Sequence, residues 1–389
     1  MRVLYVSSVY KPAYVYGGPA RSVPSLCEGL AEAGASIEVF TTNANRGERL
    51  DVPAGRPIDV CGVPVTYFPV VNERYFYVPD LVEAVRRQIC NYDIVEIDAL
   101  FSSMLDPVAS ICRKSAVPYL VPPRGQLLPG ALQEKRWKKR VYLKLAGLRT
   151  LNAAAAIHCA DPVEAESLEQ AGVHAPAFVV PNGLDMKEPA AAQFGHSVRS
   201  GLGIPGSAPL LLSVGRFHAV KRLDVAVATL ARIESAHLLL AGPDEAKLEL
   251  SLRRQALQAG CAGRLHILPL QSADALRQIY AAADLFIMPS DRESFGMSAA
   301  EAMAAGLPVL VSGKVPVGRW AQAAQAGLMV SNQIEPFAKA ARALLSLPRE
   351  ELREMGVRAR RCAAAQFDRR AVARLFLDRI SRYADHASV

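Results

Sequence analysis

A chain of 389 residues with 51% hydrophobic and 21% charged side chains holds enough apolar material for two packed cores, which excludes a disordered or low-complexity protein. No apolar run reaches the roughly 18 residues of a spanning helix, and seven scattered cysteines without a Cys-x-x-Cys pair exclude a disulfide framework or a zinc ribbon. The net charge of +8 lies wholly in the second half: residues 1–190 carry 20 basic and 20 acidic side chains, leaving 45 − 20 = 25 against 37 − 20 = 17 beyond.

Residues 1–8 are too short for a secretion signal and read as a first strand. Reduced thiols point to a cytosolic protein. The basic second half suits an anionic nucleotide. Nucleic acid fits less well, because basic and aromatic residues are not interleaved in any recognisable module. The seven dispersed histidines form no metal-ligand spacing.

Strands are expected at 3–7, 36–41, 63–68, 93–97, 119–121, 154–158 and 177–180, with helices between most of them. This is the pattern of a doubly wound parallel sheet. After the first strand comes Val15-Tyr16-Gly17-Gly18-Pro19-Ala20-Arg21. Gly17 and Gly18 open the way for backbone N–H groups to approach a phosphate, and Pro19 suits the first helical turn; a plain turn accounts for the same residues. Asp98 ends the strand at 93–97, where it can orient a hydroxyl or cap a helix. Val121-Pro122-Pro123-Arg124-Gly125-Gln126 follows the next strand, and Arg124 offers a permanent cation for an anionic acceptor.

From Lys135 to Arg149 lie seven basic residues and no acid. On a helix, Trp137, Val141, Leu145 and Leu148 form one apolar stripe. Such a surface suits an anionic membrane or a lipid-diphosphate acceptor. It is equally the pattern of a core-facing stripe with a solvated basic back.

Residues 1–183 therefore form a first domain, and the Ala-, Gly-, Pro- and Ser-rich stretch 184–207 reads as a linker. A second domain, 208–367, repeats the alternation, with strands at 210–214, 237–241, 264–268, 284–288 and 308–311. Helices are expected at 219–232, 245–259, 272–282 and 294–305. The helical end of the chain, about 368–386, is expected to pack back on the first domain. Gly215-Arg216 ends the first strand of this second series, with Lys221 five residues on. A planar fork and a point charge at a sheet edge favour a diphosphate, although a solvated pair at a helix start has the same pattern.

The most informative segment is Pro289-Ser290-Asp291-Arg292-Glu293-Ser294-Phe295-Gly296-Met297-Ser298-Ala299-Ala300-Glu301. Glu293 sits on a strand-to-helix turn and Glu301 about 12 Å further down the helix. Between them, the N–H groups of Ser294, Phe295 and Gly296 offer an anion site at a helix N-terminus. Carboxylate, anion site and carboxylate match a sugar, a diphosphate and a ribose; a helix capped by Ser294 with an exposed Glu301 has the same pattern.

This segment, with Gly215-Arg216…Lys221, Gly17-Gly18, Gly242-Pro243-Asp244, Leu270-Gln271 and Asn182-Gly183, resembles the family-four retaining glycosyltransferases over residues 3 to about 330. The resemblance implies the GT-B fold, two Rossmann-like doubly wound α/β domains facing a cleft, the first for an acceptor and the second for a nucleotide sugar. It implies that Arg216 and Lys221 neutralise the leaving diphosphate and that Glu293 holds donor-sugar hydroxyls. It places Glu301 on the ribose, Asp244 and Leu270 beside the base and ribose, and Gly17, Gly18, Gly215, Ser294, Phe295 and Gly296 along the donor. At the acceptor side the chain departs from the pattern. Arg124 stands where many members carry a histidine, and it cannot act as a base.

The expected activity is retaining transfer of a sugar from a UDP- or GDP-linked donor to a hydroxyl of a glycan or lipid-linked glycan, in surface polysaccharide synthesis. The alternatives are a nucleotide-sugar epimerase on the same fold and transfer to a soluble small molecule. No metal or other cofactor is expected, because protein cations meet the diphosphate charge. The expected location is cytoplasmic, and peripheral at the inner face of the plasma membrane if 135–149 docks there.

Overall fold

The computed structural model describes residues 1–133 and 136–384. The chain divides into two compact units, 1–185 with 369–389 and 186–368. In the first, an eight-stranded sheet runs in the order Ala177–Val179, Ala156–Cys159, Tyr119–Val121, Ile94–Asp98, Arg2–Ser7, Ser36–Thr42, Pro64–Phe68, Pro57–Asp59. Neighbours are parallel except at the last pair. The central strands are apolar on both faces, as a parallel sheet covered on both sides requires. One core holds Leu4, Val6, Phe40, Val95 and Ile97; the other holds Val3, Tyr5, Val39 and Ile94.

The helix Arg369–Ala384 belongs to this first unit. Val372, Ala373, Phe376 and Ile380 join the second of those cores. Arg369 binds Glu28 and Glu32 of the helix Pro19–Glu32. Gly29 is needed there: a Cβ would lie 2.6 Å from the Arg369 carbonyl. Residues 385 and 386 of the expected terminal helix lie outside the described residues.

The second unit is a six-stranded parallel sheet in the order Leu265–Leu268, His237–Ala241, Leu210–Val214, Leu285–Met288, Val309–Ser312, Gly327–Val330. In chain order this is 3-2-1-4-5-6, with one reversal between Leu210–Val214 and Leu285–Met288. The stretch read as a linker is not one throughout. It contains the helix Ala192–Gly201, held where Gly195 packs on the Ala281 carbonyl. The Arg199 guanidinium fastens it to the Ala282 carbonyl (2.8 Å), the Ala208 carbonyl (2.8 Å) and Asp284 (2.6 Å). Tertiary contacts override the weak local propensity.

Candidate active site

In open α/β sheets, ligands bind beyond the carboxyl ends of the strands where the strand order reverses. In the second unit that point lies between Val214 and Met288. Gly215, Arg216, Phe217, Lys221, Met288 and Ser290 line a small recess there. Gly215 has φ 151° and Gly242 φ 153°, and a Cβ on Gly242 would fall 2.0 Å from the Gly215 carbonyl oxygen. Two adjacent strands thus end in backbone packed against backbone.

The neighbouring loops are laced together. The N–H of Phe217 donates to the Pro243 carbonyl (2.8 Å), Asp291 to Val220 (2.8 Å) and Glu293 to Lys314 (3.2 Å). The expected helix at 219–232 is broken in two. A 3-10 turn, Ala219–Lys221, precedes the helix Leu223–Ala231, and Arg222 between them has φ 49°. Lys221 consequently lies on a turn, and its Nζ donates to Glu293 Oε1 at 2.6 Å. The structure therefore joins the two strongest sequence motifs, 72 residues apart, in one part-buried ion pair. Arg216 is paired with Glu245, a partner with no signal in the sequence. His218 caps the turn: its Nδ1 accepts from the Val220 N–H at 3.3 Å.

The glutamate-bearing helix is Met297–Ala304, shorter than expected at its start. Ser294 is not its cap. Gly296 is, in the left-handed region at φ 101°, and a Cβ there would meet Val315 at 2.7 Å. The Phe295 side chain is fully buried against Trp320 and Phe367, so only its backbone faces the turn. Glu301 Oε2 accepts from the Tyr280 hydroxyl at 3.0 Å. Ser290 Oγ, fully buried beside the recess, has no hydrogen-bond partner. Asp244 turns inward to its own chain, accepting from the N–H groups of Leu248 (2.7 Å) and Glu249 (3.0 Å). Leu270 is exposed. Among the described residues, no cluster of three His, Cys, Asp or Glu side chains is placed to hold a metal.

The reversal in the first sheet lies between Ser7 and Asp98, and there the charges are sealed. Arg124, at φ 51°, donates to Asp98 (3.0 Å), Asn182 Oδ1 (2.7 Å) and the Tyr5 hydroxyl (2.8 Å). Burial raises the Asp98 carboxyl above its ordinary value against the opposing pull of Arg124. Glu164, also buried, accepts from the Gly125 and Ala160 N–H groups. Arg124 and Asp98 are thus partners of each other. Gly17 has φ 78° and its N–H donates to the Tyr14 carbonyl at 2.9 Å; Gly18 precedes Pro19 as the helix cap.

Residues 197–361 match the family "Glycosyl transferases group 1" and residues 17–183 the "Glycosyl transferase 4-like domain". The chain is a family-four GT-B glycosyltransferase. Over 173 residues it is 35% identical to the D-inositol 3-phosphate glycosyltransferase of Nocardia farcinica, covering 42% of this chain and 38% of that protein. Over 184 residues it is 30% identical to the Rhodococcus opacus protein of the same name, covering 43% and 41%. The matched stretches thus span about two fifths of these curated relatives.

Among solved structures, a sucrose-phosphate synthase from Thermosynechococcus elongatus superposes with a TM-score of 0.78 at 22% identity, over 100% of both chains. Anabaena Alr3699/HepE in complex with UDP-glucose superposes at 0.78 and 18% identity, over 98% of this chain and 100% of that one. Both likenesses show the fold. For this glycosyltransferase, what the fold leaves open is the donor, the acceptor and the stereochemical outcome.

Proposed function

We propose that this glycosyltransferase moves a hexose, with retention, from a UDP- or GDP-linked donor to a hydroxyl of a glycan or lipid-linked glycan in surface polysaccharide synthesis. The Lys221–Glu293 pair at the strand reversal, with Arg216 beside the same recess, is the observation that carries this reading. When a donor enters, the Lys221 ammonium and the Arg216 guanidinium move from carboxylate to diphosphate oxygens. Glu293, released from Lys221, accepts hydrogen bonds from sugar hydroxyls. Charge growing on the leaving phosphate is met by these cations and by the backbone N–H groups at the start of Met297–Ala304.

A diphosphate oxygen takes the acceptor proton on the same face, so no protein nucleophile is required. Glu301, steadied by Tyr280, reaches the ribose. With protein cations in these roles, no divalent metal is needed for the chemical step. The HepE complex with UDP-glucose supports a uridine donor. A thermal-shift panel of nucleotides and nucleotide sugars tests this, since a ligand that binds the folded state raises the melting point. Failure of every nucleoside diphosphate to stabilise the protein overturns the reading.

The segment 135–149 supports a membrane-borne acceptor. Lys135 lies outside the described residues. Along Arg136–Tyr142 and Leu143–Gly147, Trp137, Val141 and Leu145 are 68%, 48% and 79% exposed, so these three are not a core-facing stripe; Leu148 is half-buried against the core. Arg136, Lys138, Lys139, Arg140 and Lys144 surround them, and an apolar stripe within a basic face matches an anionic bilayer surface. Among the described residues, no helix is long and apolar enough to cross a membrane. Flotation with anionic liposomes is expected to capture the protein at low salt and release it as salt rises. A wild type that ignores such liposomes favours the second reading, a soluble acceptor. The likeness to the D-inositol 3-phosphate glycosyltransferases speaks for that reading.

A further inference from the structure

Three loops at the carboxyl edge of the first sheet meet around one carboxylate. They are the turn Tyr14–Tyr16, the hairpin of Ala44–Asn45 and Glu48–Arg49, and the loop 71–78 after Pro64–Phe68. Glu73 accepts from the Tyr16 hydroxyl, the Gly47 N–H (2.9 Å) and the Arg49 guanidinium (3.2 Å). Burial opposes ionisation of Glu73, but these donors outweigh it and hold its carboxyl below the ordinary value.

The loop 71–78 is closed on itself. The Val71 N–H donates to the Tyr77 carbonyl and the Tyr77 N–H to the Asn72 carbonyl, both at 2.9 Å. Phe76, at φ 47°, packs on the Tyr16 ring at 6.0 Å. The Tyr75 carbonyl accepts from the Ser103 N–H at 2.8 Å. On this fixed loop, Tyr75 and Tyr77 stand 51% and 50% exposed, and the Arg74 guanidinium lies 5.5 Å from the Tyr75 ring.

A rigid loop that presents two phenol rings to water beside a cation has the chemistry of a sugar platform. Ring faces take the apolar C–H face of a pyranose, while phenol and guanidinium groups bond its hydroxyls. The location fits as well: Ser103, which holds the Tyr75 carbonyl, lies on the loop that follows Ile94–Asp98, one of the two strands at the reversal where open α/β sheets bind ligands. We propose that Tyr75 and Tyr77 form an acceptor subsite that stacks a pyranose ring, which makes the acceptor a saccharide. This rests on the proposed glycan acceptor. The platform also adjoins the basic helix. Ser103 shares a loop with Phe101, whose ring packs on Tyr142 at 5.6 Å and lies 5.0 Å from Lys139 Nζ. A sugar chain carried on a lipid would meet both surfaces.

Saturation-transfer NMR on the full chain tests this, with UDP, GDP, the methyl pyranosides of glucose, mannose and galactose, and D-myo-inositol 3-phosphate as probes. Wild type is expected to saturate the ring protons of at least one pyranoside. Tyr75→Ala and Tyr77→Ala each weaken that signal by about fivefold, and Tyr75→Phe and Tyr77→Phe retain most of it, because the ring face remains. Nucleotide signals stay unchanged in all four. Circular dichroism checks that they fold, and Arg74→Ala, exposed on the same loop, gives an independent weakening. The proposal is overturned by pyranoside signals equal in wild type and the alanine variants, or by none in a wild type that binds nucleotide. It is also overturned if inositol phosphate saturates in place of the pyranosides, undiminished by the alanine variants. If wild type saturates neither UDP nor GDP, the donor reading fails instead.

Discussion

The two sheets reverse strand order in the same way, yet they use the resulting crevices differently. At Asp98 the first unit closes its charges on one another: Arg124 meets Asp98, Asn182 and Tyr5 inside the protein. At Lys221 the second unit leaves its pairs part-exposed, Lys221 with Glu293 and Arg216 with Glu245. A sealed pair is a strut, because removing one partner strands the other in a medium that solvates it poorly. On the proposed donor reading, a part-exposed pair is a placeholder, because an incoming diphosphate offers each cation a better-charged partner and frees each carboxylate. On that reading the same topology supplies a brace in one unit and a reactive centre in the other.

The largest expected effect breaks the brace. Arg124→Leu should cost about 3–5 kcal/mol of unfolding free energy by leaving Asp98 buried without its cation. Arg124→Met combined with Asp98→Leu should recover most of that loss in urea unfolding. An Arg124→Leu protein of wild-type stability that no longer transfers sugar would make Arg124 an acceptor ligand and dissolve the contrast. Next comes the placeholder. Lys221→Ala or Arg216→Ala should lower transfer on the order of 100-fold, about 2.7 kcal/mol of barrier, with little change in melting point. Wild-type turnover in both would remove the diphosphate assignment. Glu293→Gln should weaken sugar recognition more than nucleotide binding. Calorimetry with UDP against UDP-glucose separates the two.

The smallest effect concerns Glu73. Its folded-state pKa is lowered, so its contribution to stability is present above the unfolded value of about 4.3 and is lost as pH falls through the folded value. Glu73→Gln should therefore be less stable than wild type at pH 7, and the gap should close on acidification below about 4.3. A gap independent of pH would mean that Glu73 acts by shape and not by charge.

The strands are legible because parallel sheets leave continuous apolar runs: those at 119–121 and 210–214 coincide with strands end to end. Errors fall where a distant contact decides. Ser294 looks like a helix cap, but Val315 and Val317 crowd Gly296 and the helix begins after it. Arg222 in a left-handed conformation breaks a helix whose periodicity runs on. The composition of 184–207 suggests a linker because nothing local reveals that Arg199 will reach the Ala282 carbonyl. Arg216 and Lys221 announced themselves by position after a strand, whereas the partner Glu245 is an ordinary surface glutamate until the chain folds. The stripe at Trp137 was visible as a pattern, but periodicity does not say which face meets water.

The contact between Gly215 and Gly242 limits how this enzyme can diversify. A Cβ on Gly242 would fall on the Gly215 carbonyl, and Gly215 itself, at φ 151°, holds a backbone that side chains rarely adopt, so neither position is readily tuned by a side chain. New substrate preferences would have to arise elsewhere, at places such as Glu245, Leu270 or the tyrosine loop, while these two strand ends form a single casting.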